Sequence, residues 1–241
     1  MLRSGMKPTI SKRRFLALGL IAAMPATAQL DKIFSKLGKK DGGDKSADGI
    51  KEALSIGAEN AIKLIGQPGG YLQNELIKIL MPEKLRPVEK SMRMLGMGKP
   101  IDDLELAMNH AAEAAAPLAL DFFKNAIKEM TFDDARKIVT GGDTSATDFF
   151  KIKTQDKLTV AFRPVINKAM ADNDVAKQFN LVAGNVKKIP FMKTELPDIE
   201  QYVLDKSLSG MFLMIGEEEK KIRKDPAAQV TALLKDVFGH K

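Results

Sequence analysis

DDLELAMNHAAEAAAPL, residues 102–118, is the stretch whose reading decides the fold. Leu104, Met108, Ala111, Ala115 and Leu118 recur at steps of three and four, the spacing that lines one face of an α-helix. From Ala111 to Ala116 the side chains are so small that another helix can approach closely. Pro117 is expected to bend the chain. A second stripe, Glu105, Asn109 and Glu113, falls at i, i+4 and i+8 on the same helix. If a neighbouring element covers it, the carboxylates need partners, for which Arg136 and Arg163 are candidates, because an unpaired buried charge costs several kcal/mol.

Helical signals extend outward in both directions. Towards the N-terminus, Ile50, Leu54, Ala58, Ala61 and Ile65 form one amphipathic stripe that stops at Gly66, and Gln67-Pro68-Gly69-Gly70 makes a turn. Pro82 suits the first turn of a helix through Leu95, and the glycines at 96 and 98 close it before Asp102 or Asp103 caps the next. Towards the C-terminus, Thr131 and Asp134 have capping-box spacing and open a short helix ending at Gly141-Gly142. Asp143 or Thr144 caps its successor, which Leu158, Phe162, Val165, Ile166 and Ala169 continue, with a kink expected at Pro164. Helices follow around 174–187 and 198–223, and Asp225-Pro226 opens a last one with Val230, Leu233, Leu234, Val237 and Phe238 on its buried face. No segment alternates with period two for long enough to predict a strand. The expected class is all-α: a single multi-helix bundle over residues 49–239.

The first residues carry a different pattern. Lys12, Arg13 and Arg14 precede an apolar run from Phe15 to Met24, then Pro25 and Ala26-Thr27-Ala28. That order predicts a cleavable signal peptide over 1–28, too short to span a bilayer, and hence an exported, periplasmic protein beginning at Gln29. Ser11-Lys12-Arg13-Arg14-Phe15-Leu16 also resembles a twin-arginine signal with Lys for the first Arg. Residues 29–48 are expected to be a short helix and a flexible linker, the linker being Gly38 to Asp48.

The formal charge of +7 on the whole chain falls to +2 without the signal, because Arg3, Lys7, Lys12, Arg13 and Arg14 leave with it. A nucleic-acid partner is therefore not expected, nor a transmembrane segment after cleavage. Cysteine is absent, which excludes disulfides, thiolate metal sites and a cysteine nucleophile. With only His110 and His240, and Met92, Met94 and Met97 not sharing one helical face, no metal site and no cofactor are expected.

Together Lys51-Glu52-Ala53-Leu54, Gly66-Gln67-Pro68-Gly69-Gly70-Tyr71, Met108-Asn109 with Ala111 to Pro117, Phe132 to Ile138, Gly141 to Asp148, Phe162-Arg163-Pro164 and Gly216 to Arg223 resemble the bacterial family named domain of unknown function 4197. The resemblance covers residues 30–239 and implies an exported helical protein, with no activity to carry over. His110 stands where an Arg is expected in relatives.

The glycine-rich loop 66–71 has neither a preceding strand nor the Lys of a phosphate-binding loop, so it reads as a helix stop and turn. Gly141-Gly142-Asp143-Thr144 reads as a cap between helices. Glu217 with Lys221 and Glu219 with Arg223 read as ion pairs on a solvated helix face. The favoured functional expectation is a non-enzymatic ligand-binding or interaction module of the cell envelope, its partner a small molecule or an envelope protein. Asn109, Glu113, Arg136, Asp143, Thr144, Thr147 and Arg163 are its candidate ligand-binding residues, being polar groups set beside small ones. The alternatives are a cell-wall glycan hydrolase or lyase with Glu113 as general acid, and a structural envelope oligomer.

Overall fold

In the computed structural model, which describes residues 42–172, 175–186 and 196–224, every regular element among the described residues is helical. Helix α1 (Gly42–Ile65) leads through the irregular segment 66–82 and a short 3-10 turn (Glu83–Leu85) into α2 (Arg86–Met94). Then come α3 (Lys99–Ala115), a 3-10 turn (Ala116–Leu118), α4 (Ala119–Lys128), α5 (Phe132–Thr140), α6 (Ser145–Asp172), α7 (Val175–Val186) and α8 (Ile199–Lys224). The expected signal peptide and the expected helix after Asp225 lie outside the described residues.

The alanine face of α3 works as its sequence suggests. Ala107, Ala111, Ala112 and Ala115 are buried, and α3 packs against α6, α7 and α8 at once. α1 lies against α4, α5 and α8. Where α4, α6 and α8 meet, Phe123 sets its ring 5.0 Å from Phe150 and 6.3 Å from Phe212, centroid to centroid.

Most boundaries follow local chemistry. Thr131 accepts from the Asp134 N–H at 3.1 Å while Asp134 Oδ2 accepts from the Thr131 N–H at 3.1 Å, a closed capping box. Pro117 does not bend one continuous helix; it sits in the 3-10 turn that separates α3 from α4. Three starts differ from expectation. α3 begins at Lys99, since Pro100 is tolerated in a first helical turn where its missing N–H has no partner to lose, and Asp102 instead binds Arg93 at 2.7 Å. α2 begins at Arg86, with Pro82 before the 3-10 turn. α1 reaches back to Gly42, into the stretch whose composition suggested a linker; once residues 49–65 dock, adding turns at the end costs little. α6 runs through Pro164 without ending.

Candidate functional site

Two polar arrangements meet the description of a site, and they differ in whether their groups are free. The first is the α3 stripe. Glu113 Oε1 accepts from the N–H of Tyr71 at 3.0 Å and of Leu72 at 3.2 Å. Asn109 pairs with Ile79 as a β-strand would: its Oδ1 accepts from the Ile79 N–H and its Nδ2 donates to the Ile79 carbonyl, both at 2.8 Å. Glu105 Oε1 accepts from the Met81 N–H at 3.0 Å. One helix thus holds residues 71–81 along three successive turns. Residues 71–77 coil into turns closed by their own main-chain bonds, such as that from the Ile77 N–H to the Asn74 carbonyl at 3.1 Å, and 78–82 have no regular structure. Ile77, Ile79 and Met81 are buried while Leu80 is exposed, so the main-chain groups the turns leave over pair with side chains of α3. Neither Arg136 nor Arg163 is the partner of these carboxylates; main-chain amides are.

The glycine-rich turn aims this segment. A Cβ on Gly70 would come within 2.5 Å of the Leu64 and Ile65 carbonyl oxygens, and Gly69 has φ +83°. The turn delivers Tyr71 into the core, where its hydroxyl donates to the Ser207 carbonyl of α8 at 2.6 Å. Gly210, one turn on from Ser207, leaves room for that ring; a Cβ there would sit 2.9 Å from Tyr71 Cε1. Burial first, then the Glu113 carboxylate, push the Tyr71 phenol far above its ordinary range. Glu105, half-buried, is also raised, mainly by burial, against the lowering effect of its bond from Met81.

The second arrangement is where α6 and α8 run antiparallel. One tie is at the start of α6: the Glu219 carboxylate accepts from the N–H groups of Ala146 and Thr147, both at 2.9 Å, and from the Thr147 hydroxyl at 2.8 Å. A carboxylate suits the positive end of a helix. Arg223 binds Glu219 at 2.7 Å and donates to the Ile138 carbonyl at 2.8 Å. The pair expected on a solvated face exists but is buried, with Glu219 8% and Arg223 9% exposed; it shares the inward stripe of Ile215 and Ile222. The other tie is the bond from Arg163 to Gln201 at 2.9 Å, and Gln201 in turn donates to Asp205 at 2.8 Å.

Between these ties lies an open groove of about 470 Å³. Thr144, Thr147, Lys151, Gln155 and Thr159 line its α6 wall, and Asp205, Ser209, Gly216 and Lys220 its α8 wall, over Leu208 and Phe212. Lys220 is held by Glu217 at 2.8 Å. The side chains of Lys151 and Asp148, which also borders the groove, make no hydrogen bond or ion pair among the described residues. A Cβ on Gly216 would find ordinary contact distances, 3.5 Å to the Thr147 hydroxyl and 3.8 Å to Thr144, so packing does not require glycine there.

The seven candidates therefore separate. Thr144 and Thr147 line the groove and Arg163 stands beyond its far end. Asn109 and Glu113 belong to the α3 clasp. Arg136 is exposed on α5, and Asp143 is bound by Lys224 at 2.6 Å beyond the near end. Sequence reasoning missed Lys151, Asp205, Ser209 and Gly216. For Lys151 the signal was a polar face recurring at 144, 147, 148, 151, 155 and 159; the three on α8 follow only from its packing against that face.

The fold and these two arrangements define an all-α protein with an open interhelical groove, and among the described residues no helix is long and apolar enough to cross a membrane. The family model described as protein of unknown function (DUF4197) matches residues 40–239, and the chain belongs to that family. No curated protein and no solved structure matches it.

Proposed function

We propose that this is an exported, non-enzymatic binding module of the cell envelope whose α6–α8 groove takes a small polar ligand. The observation that supports this is the groove itself: about 470 Å³ of open space bordered by charged side chains, those of Lys151 and Asp148, that the described protein leaves unpaired. Gly216 adds to it, because a glycine inside a helix costs about 1 kcal/mol relative to alanine and packing gives no reason for that cost. The hydrolase alternative is weaker. Glu113, its general acid, is 5% exposed and occupied by two main-chain amides, whereas a general acid must reach substrate with a proton.

Native mass spectrometry of the protein purified from its own extracytoplasmic fraction tests this reading. The expected species is a monomer beginning at Gln29 that retains an added ligand mass, and Ser209→Trp, which fills the groove from an exposed position, should lose that mass. A bare multimer would favour the structural envelope role. Retention of residues 1–28 would remove the export argument.

A further inference from the structure

Resting on the groove reading, we infer that the ligand class is a short peptide with free termini, about three residues long, its carboxylate on Lys151 and its ammonium on Asp205. The two ties fix the register. Thr147 faces Glu219 and Arg163 faces Gln201, so, counting from the nearer tie in each case, Asp205 lies level with Thr159 and Lys151 level with Ile215. Those levels are eight residues apart along α6 and ten along α8, about 12 to 15 Å at 1.5 Å per residue. An extended peptide covers about 3.3 to 3.6 Å per residue, so three residues span about 10 Å and the flexible lysine closes the remainder.

The charges are placed for such a zwitterion. Among the described residues Lys151 makes no ion pair, while another groove cation, Lys220, is occupied by Glu217. Asp205 is exposed and, among the described residues, accepts only from the neutral amide of Gln201, which orients it without cancelling its charge. Between them the walls offer Gln155 and Ser209 to the peptide main chain, over the partly exposed Leu213, while the Thr159 hydroxyl, which donates to the Gln155 carbonyl at 2.9 Å, can only accept. Asp148 is the competing anion; it lies one turn from Lys151, a spacing that suits a single amino acid.

Titration calorimetry of the mature protein with alanine peptides of one to five residues tests this. Binding should peak at three residues. N-acetylation and C-amidation should each weaken the tripeptide about fivefold, roughly 1 kcal/mol, as for a partly exposed charge pair. Asp205→Asn should weaken the free tripeptide but cost the N-acetylated one nothing more, and Lys151→Met should do the same for the C-amide. Equal affinity of free and blocked peptides, an optimum at one residue, or sensitivity to Asp148→Asn in place of Asp205→Asn would overturn the inference. If no peptide binds while the wild-type protein still retains a mass that Ser209→Trp loses, the peptide assignment falls and the groove stands; if that mass survives Ser209→Trp, the groove itself falls.

Discussion

The α3 clasp and the α6–α8 groove are built from similar materials: a helix carrying polar side chains at steps of three and four beside small or apolar ones. They differ in what faces them. Opposite Glu105, Asn109 and Glu113 runs an irregular, turn-rich segment whose buried and half-buried amides would otherwise lack partners, and the side chains are spent on it. Opposite Lys151 and Asp148 there is open space. Polar periodicity marks both a structural ladder and a groove, and the supply of main-chain partners decides which.

The largest expected effect comes from cutting the clasp. Glu113→Ala strands two N–H groups, at least that of Tyr71 fully buried, and should lower stability by about 3 kcal/mol in denaturant unfolding, with Glu113→Gln losing less because one acceptor oxygen remains. Next is a pair of glycines on α8. Gly210→Ala should destabilise by about 1 to 3 kcal/mol by pressing on Tyr71, whereas Gly216→Ala should be neutral or stabilise by up to about 1 kcal/mol. Equal losses at both would erase the distinction between a packed glycine and an unfilled one.

A third expectation concerns alkaline pH. The folded Tyr71 phenol is harder to ionise than the unfolded one, so its contribution is fully present below about pH 10 and is lost as pH rises towards its raised folded value. Unfolding followed from pH 8 to 12 should show falling stability, and Tyr71→Phe should flatten the fall while losing about 1 kcal/mol at neutral pH with the bond to Ser207. The smallest effect is at the groove: Lys151→Met should stay within about 0.5 kcal/mol of wild type, since among the described residues it breaks no hydrogen bond or ion pair.

Much of this was legible in the sequence where the signal is local. The Thr131–Asp134 box, the stop at Gly66 and the buried alanines of α3 each depend on residues a few positions apart. The clasp was half legible: spacing put Glu105, Asn109 and Glu113 on one stripe, but their partners lie 24 to 42 positions away and are main-chain groups, to which composition is blind. Glu219 and Arg223 were read as solvated because an i, i+4 ion pair looks the same inside and outside; only the shared stripe with Ile215 and Ile222 tells them apart. The groove requires the antiparallel register of α6 and α8, which rests on contacts some 38 and 72 positions apart.

The most direct test of the central claim, that the α3 stripe is structural and the α6–α8 groove is the site, is native mass spectrometry of Glu113→Gln beside Ser209→Trp, each with its thermal midpoint. The account predicts that Glu113→Gln melts earlier but keeps the retained mass, while Ser209→Trp melts like wild type and loses it. A Glu113→Gln protein of undiminished stability that has lost the mass would contradict it.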